Sequence, residues 1–501
     1  MIFRDWLKGL EYTLLQGNVD VETEDVIYDS RKAAPGKVFV AMKGIRVDGH
    51  SFIPQVLKAG VRVLVTERPV EEELKNSGLS EEELKQVTVV MVEEGRHALA
   101  LLSAARFDHP AKKLVMIGVT GTKGKTTTTH MIRAILLAAG KKVGMIGTTG
   151  TVIGDVVTPT LNTTPESYEL HQAFAQMVEA GCEYAVMEVS SQGIKMHRTD
   201  GLYFNYAIFT NISPDHIGPG EHADFEEYLY YKTRLLNMCG IGLVNKDDKH
   251  APQIIKAANC ELYTYSEESK EADFVASDIR YVSQPDFVGT EFHISGKYDM
   301  EVRLGIPGLF NVVNALAAVS VCSFLGLDQA RISHALENIR VNGRMEIVYT
   351  SERCTVLVDY AHNAVSMESL LSTLRDYKPK RLVCVFGCGG NRSKDRRYSM
   401  GEIGGKMADL SIITADNSRY EKVEDIIADI RGSIEKTGGK FIEIPDRREA
   451  IRYSILHAQP GDMVAVIGKG HEDYQEINGV RHHFLDREVI EETVKELGEK
   501  A

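Results

Sequence analysis

The chain has 501 residues, 43% of them hydrophobic, and a formal net charge of -13. At roughly 150 residues per domain that length allows about three domains, each able to bury a core of its own. The acidic balance gives no electrostatic footprint for a nucleic-acid backbone, and no stretch approaches the roughly 20 apolar residues that span a bilayer. The amino-terminal MIFRDWLKGLEY sets Asp5 and Glu11 among Phe3, Trp6, Leu7 and Leu10, the pattern of a short amphipathic helix and not of a signal peptide. Seven cysteines are scattered without a CxxC pair, so each is expected as a small core or loop residue of a cytoplasmic protein.

From about residue 20 to 110, β-branched runs (KVFVAMKG, VRVLVTE, VTVVMVEE) alternate with helical stretches (IPQVLKAG, RHALALLSAARF). This predicts an α/β module closing near Phe107-Asp108-His109-Pro110, because the residue before a proline is biased away from helix. KLVMIGVTG, a Gly/Thr-rich turn, HMIRAILLAAG and KKVGMIGTTG then read as strand, loop, helix and strand. Further strands are predicted at YAVMEVSS, YAIFTNIS and IGLVNKD, an antiparallel stretch at about 280–305, and a helix at FNVVNALAAVSVCSFLG. From TVLVDYAHN onward RLVCVFGCG, LSIITADNS, KFIEIP and MVAVIGKG alternate with helical runs, which argues for a mostly parallel sheet. DNSR falls at the carboxyl end of the third of these strands and GKGHED at the end of the last, where ligands bind in such sheets.

The strongest local signal is GVTGTKGKTTTTHM, residues 118–131. A glycine turn between strand and helix lets backbone N–H groups approach phosphate oxygens at the positive helix end. Gly121, Thr122, Lys123, Gly124, Lys125, Thr126 and Thr127 form the predicted cradle, with Lys125 on the outer phosphates and Thr126 on Mg²⁺. The usual P-loop spacing asks for glycine at 119, where this chain has valine. ATP with Mg²⁺ is implied, but the loop alone fits a kinase, a transport ATPase, a switch or a ligase. Glu188, at the end of one strand, and Asp215-His216, after another, supply oxygen and imidazole ligands expected to face the same nucleotide edge.

With these residues assembled, the chain resembles the Mur ligases over nearly its whole length. DSRKAAPGKVFVAMKG, VTGTKGKTTT, NTTPES, MEVSSQGIKMHR, TNISPDH, FEEYLYYKTRLL, FNVVNALAA, NGRME, DYAHN, GCGGNRSKDRR, DNSR and GKGHEDYQE occur in the family order. The resemblance implies an α/β fold of three domains: residues 1–110 holding the UDP end of the substrate, a central ATPase at 111–343 with a parallel-rich sheet, and a Rossmann-like amino-acid-binding domain at 344–501. It also implies ATP-dependent amide formation in peptidoglycan precursor synthesis. A D-glutamate carboxylate of UDP-N-acetylmuramoyl-L-alanyl-D-glutamate becomes an acyl phosphate that the amino group of a diamino acid attacks. The two reacting sites lie in different modules, so domain closure around a water-sensitive intermediate is expected. The implied partners are the UDP precursor and the diamino acid, with no nucleic acid, no membrane and a monomeric chain.

Carried over by position, Tyr28, Ser30, Asn162, Thr163, Thr164, Ser190 and Arg198 match contacts to the UDP substrate. Lys125, Glu188, His216 and Lys232 match the catalytic set; Thr126, Glu188, His216 and Lys232, the last if carbamylated, match the metal ligands. Asn311, Arg344, Asp359 and His362 match nucleotide contacts, and Arg392, Asp416, Asn417, Ser418, Arg419, Gly468 and Glu472 match the amino-acid site. Members that add meso-diaminopimelate carry Asp-Asn-Pro-Arg, whose guanidinium fork suits a distal carboxylate and opposes a second ammonium, so Arg419 favours that substrate over lysine.

Four departures stand out. Ser418 replaces the proline, Met196 a glutamine, DHIGPGEH the usual DHLDYHG, and Asn363-Ala364-Val365 a Thr-Pro-Asp. The alternatives are an L-lysine-adding or divergent paralogue, a folate-directed relative, and, from another class, a nucleotide-regulated binding protein with a vestigial ATPase. A mere binder has no use for Lys125, Glu188, His216 and Lys232 together.

Overall fold

The structure, a computed structural model, describes residues 1–44 and 47–498. The chain forms two compact units, Met1–Tyr265 and Ser266–Ala501.

The first unit holds two sheets. In the smaller, strands run in the spatial order Thr13–Gln16, Thr88–Met91, Val63–Thr66, Lys37–Val40 and Asp25–Ile27, parallel except for the first pair. The amino-terminal helix is shorter than the pattern predicts, Phe3–Trp6; the chain then turns through Gly9, at φ +85°, and Leu7 and Leu10 join Phe3 and Trp6 in this sheet's core from outside the helix. The helix Gly95–Arg106 ends where expected, with Asp108 and His109 in the left-handed region before Pro110.

The second sheet carries the phosphate loop. Its strands run Glu261–Ser266, Cys239–Asn245, Phe204–Phe209, Val115–Thr120, Tyr184–Glu188 and Val143–Gly147, all parallel, followed by the antiparallel Gly150–Ile153 and Val156–Thr158. The central strand MIGVT is buried on both faces, as continuous apolar runs are in parallel sheets. It ends level with its neighbours, Glu188 opposite Val119 and Phe209 opposite Thr120, so the three following loops emerge at one carboxyl edge.

The second unit contains the antiparallel strands Phe274–Gln284, Phe287–Gly296 and Met300–Leu304, the predicted antiparallel stretch, and the apolar helix Leu309–Phe324. Its six-stranded sheet runs Glu346–Thr350, Cys354–Asp359, Asp462–Ile467, Arg381–Phe386, Leu410–Ile413 and Phe441–Glu443, parallel after the first pair. The last strand in sequence, Asp462–Ile467, inserts between Cys354–Asp359 and Arg381–Phe386, a change of winding direction that opens a crevice at the carboxyl edge. Tyr377 ties the two parts of this unit: its hydroxyl is 2.8 Å from Thr290 Oγ1 and accepts the Gly308 N–H at 3.0 Å. Among the described residues no helix is long and apolar enough to cross a membrane.

Candidate active site

At the end of Val115–Thr120 the chain turns through Gly121–Gly124 and enters the helix Lys125–Ala138. Gly121 has φ +145°, and a Cβ there would lie 1.9 Å from Thr210 Oγ1, so only glycine fits. The loop is fixed by the TNIS segment: Thr122 N–H donates to the Asn211 carbonyl at 2.9 Å, Lys123 N–H to Asn211 Oδ1 at 2.9 Å, and Thr210 Oγ1 to the Lys123 carbonyl at 2.7 Å. The amino end of the helix carries the partial positive charge that favours an anion.

Lys125 Nζ donates to the Gly121 and Thr122 carbonyls at 2.8 and 3.1 Å. Lys232, 2% exposed at the end of Phe225–Thr233, donates to the same Gly121 carbonyl at 2.7 Å and lies 4.7 Å from the centre of the Tyr228 ring. Burial, and then the neighbouring Lys125 charge, hold the Lys232 amine well below its ordinary range. Two amines thus converge on one carbonyl.

Glu188 is 1% exposed and surrounded by neutral donors. Thr126 Oγ1 reaches Oε1 at 3.0 Å, Thr148 N–H reaches Oε1 at 2.9 Å, and Thr148 Oγ1 reaches Oε2 at 3.2 Å. Buried carboxylate and hydroxyl oxygens beside a phosphate cradle are the donor set of a hard divalent cation, so Thr126 and Glu188 fit Mg²⁺. Lys232 as a free amine does not fit; as a carbamate it does. His216 sits in an exposed loop with φ +53°, its Nδ1 3.0 Å from Glu221 Oε1 and its Nε2 3.9 Å from Asp215.

The same edge gathers the substrate residues. Thr164, fully buried, donates to the Glu188 carbonyl at 3.0 Å and accepts the Ser190 N–H at 2.9 Å, while its carbonyl accepts from Arg198 at 3.0 Å. Thr163 Oγ1 lies 3.0 Å from Thr148 Oγ1, Arg198 pairs with Glu166 at 2.7 Å, and Asn162 is exposed. On the smaller sheet Tyr28 donates to Glu169 at 2.9 Å, beside a cavity of about 150 Å³ lined by Asp25, Lys32, Lys37 and Tyr168, and Ser30 opens a short turn capped by Asp29.

In the second unit the carboxyl-edge loops of the six-stranded sheet meet. Asn417 is the hub: its Nδ2 donates to Glu472 Oε2 at 2.9 Å and its Oδ1 accepts from Glu476 N–H at 2.9 Å and from Lys469 at 3.3 Å. Lys469, fully buried, also pairs with Glu472 at 3.3 Å and bonds the Tyr474 carbonyl. Gly468, at φ +113°, lies where a Cβ would come 2.7 Å from Asp416 Oδ2. Arg419 takes φ +52°, donates to the Gly390 carbonyl at 2.7 Å and lies 3.5 Å from Glu476. Arg392 is exposed on the adjoining loop. Asp359 accepts the Met345 and Ala361 N–H groups at 2.8 and 2.7 Å, Arg344 lies over the Tyr360 ring at 4.9 Å, and His362 Nδ1 is 2.8 Å from the Tyr360 carbonyl. Asn311 is buried at the start of its helix and donates to the Pro307 carbonyl at 2.6 Å.

Sequence reasoning passed over several residues that hold this arrangement. Lys469 lies inside GKGHED and Thr148 directly follows a predicted strand, so both carried a positional signal. Arg397, fully buried and paired with Glu421 and Asp429 at 2.8 and 2.9 Å, closes the motif GCGGNRSKDRR, where nothing local distinguishes it from Arg396.

A glycine phosphate loop whose edge also presents buried carboxylate and lysine, joined to a sheet whose loops present paired cations and acids, is the equipment of an ATP-dependent ligase. Models of the Mur ligase family catalytic domain, the Mur ligase middle domain and the Mur ligase glutamate ligase domain match residues 23–107, 119–322 and 343–470. The chain belongs to the Mur ligase family.

Among its relatives, the proteins of Caldanaerobacter subterraneus subsp. tengcongensis and Clostridium tetani are each named UDP-N-acetylmuramoyl-L-alanyl-D-glutamate--2,6-diaminopimelate ligase. Both are 39% identical; the first aligns over 98% of either chain, the second over 99% of this chain and 100% of its own. A solved structure of a ligase of the same name superposes with a TM-score of 0.72 at 30% identity, covering 95% of this chain and 96% of its own.

Proposed function

We propose that the protein joins meso-diaminopimelate to UDP-N-acetylmuramoyl-L-alanyl-D-glutamate at the expense of ATP. The full-length similarity to relatives of that name supports the reaction. The observation that carries the choice of amino acid is Arg419, held by backbone bonds at the mouth of the second unit's crevice, with Glu472 nearby on Asn417. A guanidinium fork there binds the distal carboxylate and Glu472 the distal ammonium, a pairing that lysine cannot complete. The functional modules are proposed as 1–110, 111–343 and 344–501.

In this reading a glutamate carboxylate oxygen attacks the γ-phosphorus and the bond to the β-bridging oxygen breaks, releasing ADP. The amine of diaminopimelate then attacks the acyl carbon, phosphate leaves, and the new amide nitrogen gives up its proton. The chain supplies positioning and charge and no covalent nucleophile. Helix N–H groups and Lys125 hold the phosphates, while Thr164, Ser190 and Arg198 orient the precursor. Lys232, whose neutral amine form burial favours, is set to attack CO₂: a nitrogen–carbon bond forms, one proton is lost, and a neutral amine becomes an anionic carbamate near Lys125. Mg²⁺ held by Thr126, Glu188, His216 and the carbamate would neutralise charge developing on the phosphates.

The test is phosphate release by purified protein with ATP, Mg²⁺ and the UDP-dipeptide, with meso-diaminopimelate, L-lysine or L-ornithine in parallel and products weighed by mass spectrometry. Release is expected with meso-diaminopimelate and an adduct of matching mass. Preference for lysine, or release without any amino acid, would overturn the assignment.

A further inference from the structure

Away from the phosphate loop, two histidines converge on one carboxylate oxygen. His97 Nδ1 lies 2.6 Å and His197 Nδ1 2.8 Å from the same Asp200 Oδ2, with the two rings 6.4 Å apart at 80°. His97 stands near the start of the helix Gly95–Arg106, whereas His197 and Asp200 come from the turn after the short helix Ser191–Lys195, about a hundred positions later. Among the described residues this is the one group of three such side chains whose ligand atoms all lie within 4.8 Å of one another.

The group is held in place from both sides. His197 adopts φ +55° and its N–H closes the turn on the Ile194 carbonyl at 3.0 Å, while Arg198 N–H bonds the Gly193 carbonyl at 2.9 Å. The residues next to the two histidines, Arg96 and Arg198, both pair with Glu166, at 3.5 and 2.7 Å. Two imidazole nitrogens and one carboxylate oxygen are the donors that zinc-class ions prefer, and Mg²⁺ does not. Ligand atoms around a tetrahedral zinc with bonds near 2.0 Å stand about 3.3 Å apart. The His97 and His197 separations from Asp200, 2.6 and 2.8 Å, therefore need to open by about 0.7 and 0.5 Å, within the reach of side-chain rotation. The His97, His197 and Asp200 side chains are 42%, 38% and 24% exposed, leaving a path for the ion and room for water as a further ligand.

We propose that His97, His197 and Asp200 form a site for a divalent ion of the zinc or cobalt(II) class, which ties the helix Gly95–Arg106 to the turn that presents Arg198. The ion replaces the two N–H···O bonds to Asp200, each neutral imidazole moving its proton to Nε2 to free Nδ1. Because Arg198 bonds the Thr164 carbonyl, the brace bears on the precursor-binding edge without touching the phosphate loop.

Titration of the metal-free full-length protein with Co²⁺ in the presence of millimolar Mg²⁺ tests the site. One equivalent should bind and give the visible d–d absorption of a nitrogen-ligated four- or five-coordinate ion, and Zn²⁺ should displace it. His97→Ala, His197→Ala and Asp200→Asn should each weaken binding by more than the roughly tenfold that loss of even an outer-shell partner costs. Zn²⁺ should raise the unfolding temperature of the wild type and not of these variants. A wild-type protein that shows no such Co²⁺ spectrum overturns the proposal without recourse to any variant. So does a spectrum unchanged in the folded His97→Ala protein.

Discussion

Arg447 and Asp486 form a fully buried pair, with Nε and Nη2 on the two carboxylate oxygens at 2.7 and 2.6 Å. The same guanidinium donates to the Ala415 carbonyl at 3.2 Å and the Ile467 carbonyl at 3.0 Å, the residues directly before Asp416 and Gly468. Arg447→Ala leaves a carboxylate buried without its partner, which costs about 3–5 kcal/mol. For a unit of this size that is a fall in unfolding temperature of roughly 2–4 °C per kcal/mol, or about 6–20 °C. Calorimetry of wild type and variant measures it.

The pair also separates stability from function. Arg447→Met combined with Asp486→Leu removes both charges, so stability should return to within about 1 kcal/mol of wild type or exceed it. The two carbonyls stay unbraced, and the KM for meso-diaminopimelate should remain raised severalfold with kcat little changed. A single variant that loses under about 1 kcal/mol would falsify the assignment of a dehydrated pair. A double variant with wild-type KM would show that other contacts set the DNSR and GKGHED loops.

Arg419→Lys should lower kcat/KM for meso-diaminopimelate by about tenfold to a hundredfold, the value of a charged hydrogen bond, and narrow the preference over lysine; an unchanged ratio rules out carboxylate reading by this residue. Lys232→Ala should abolish turnover, and wild-type activity should fall in CO₂-depleted buffer and return with bicarbonate, whose ¹³C label should give a carbamate signal; full activity of the alanine variant would refute its role. His171, 2% exposed with neither ring nitrogen hydrogen-bonded, is lowered to about 3 by burial, with a smaller push from His109. Below the unfolded imidazole pKa near 6.5 the unfolded chain gains the proton first, so stability present above about 6.5 is lost as pH falls toward about 3. Between pH 6.5 and 5 the loss should approach about 2 kcal/mol by urea denaturation, and His171→Phe should flatten it.

The phosphate loop, Glu188 and the DNSR edge were legible because each sits at a junction that local pattern marks, apolar run, polar turn, helix, whereas Lys232, inside the helix Phe225–Thr233, was reached only through the family resemblance. What the chain's order conceals is partnership. Lys469 meets Asn417 across 52 positions, Arg447 meets Asp486 across 39, and Thr148 meets Glu188 across 40. No periodicity signals such pairs. Tyr377 likewise hydrogen-bonds Thr290 across 87 positions and Gly308 across 69. The first helix shows the opposite error, since its amphipathic pattern ran on to Leu10 whereas the helix stops at Trp6.

Ser418 is the departure with the most to say about substrate choice. A proline there would limit φ and so hold Arg419 in position before any ligand arrives. In this chain the neighbours do that work. Arg419 N–H bonds the Glu476 carbonyl at 3.0 Å, its own carbonyl accepts from Asn478 at 2.6 Å, and Gly390 N–H bonds the Asn417 carbonyl at 2.8 Å. The left-handed φ of Arg419 is thus set by bonds on both its backbone groups and on the residue two before it. Ser418 itself is 3% exposed, and its carbonyl packs so closely on Gly390 that a Cβ there would lie 1.9 Å away. Serine therefore loosens the unfolded chain more than the folded loop, and Ser418→Pro should shift stability by less than about 1 kcal/mol while leaving selectivity among diamino acids where Arg419 puts it.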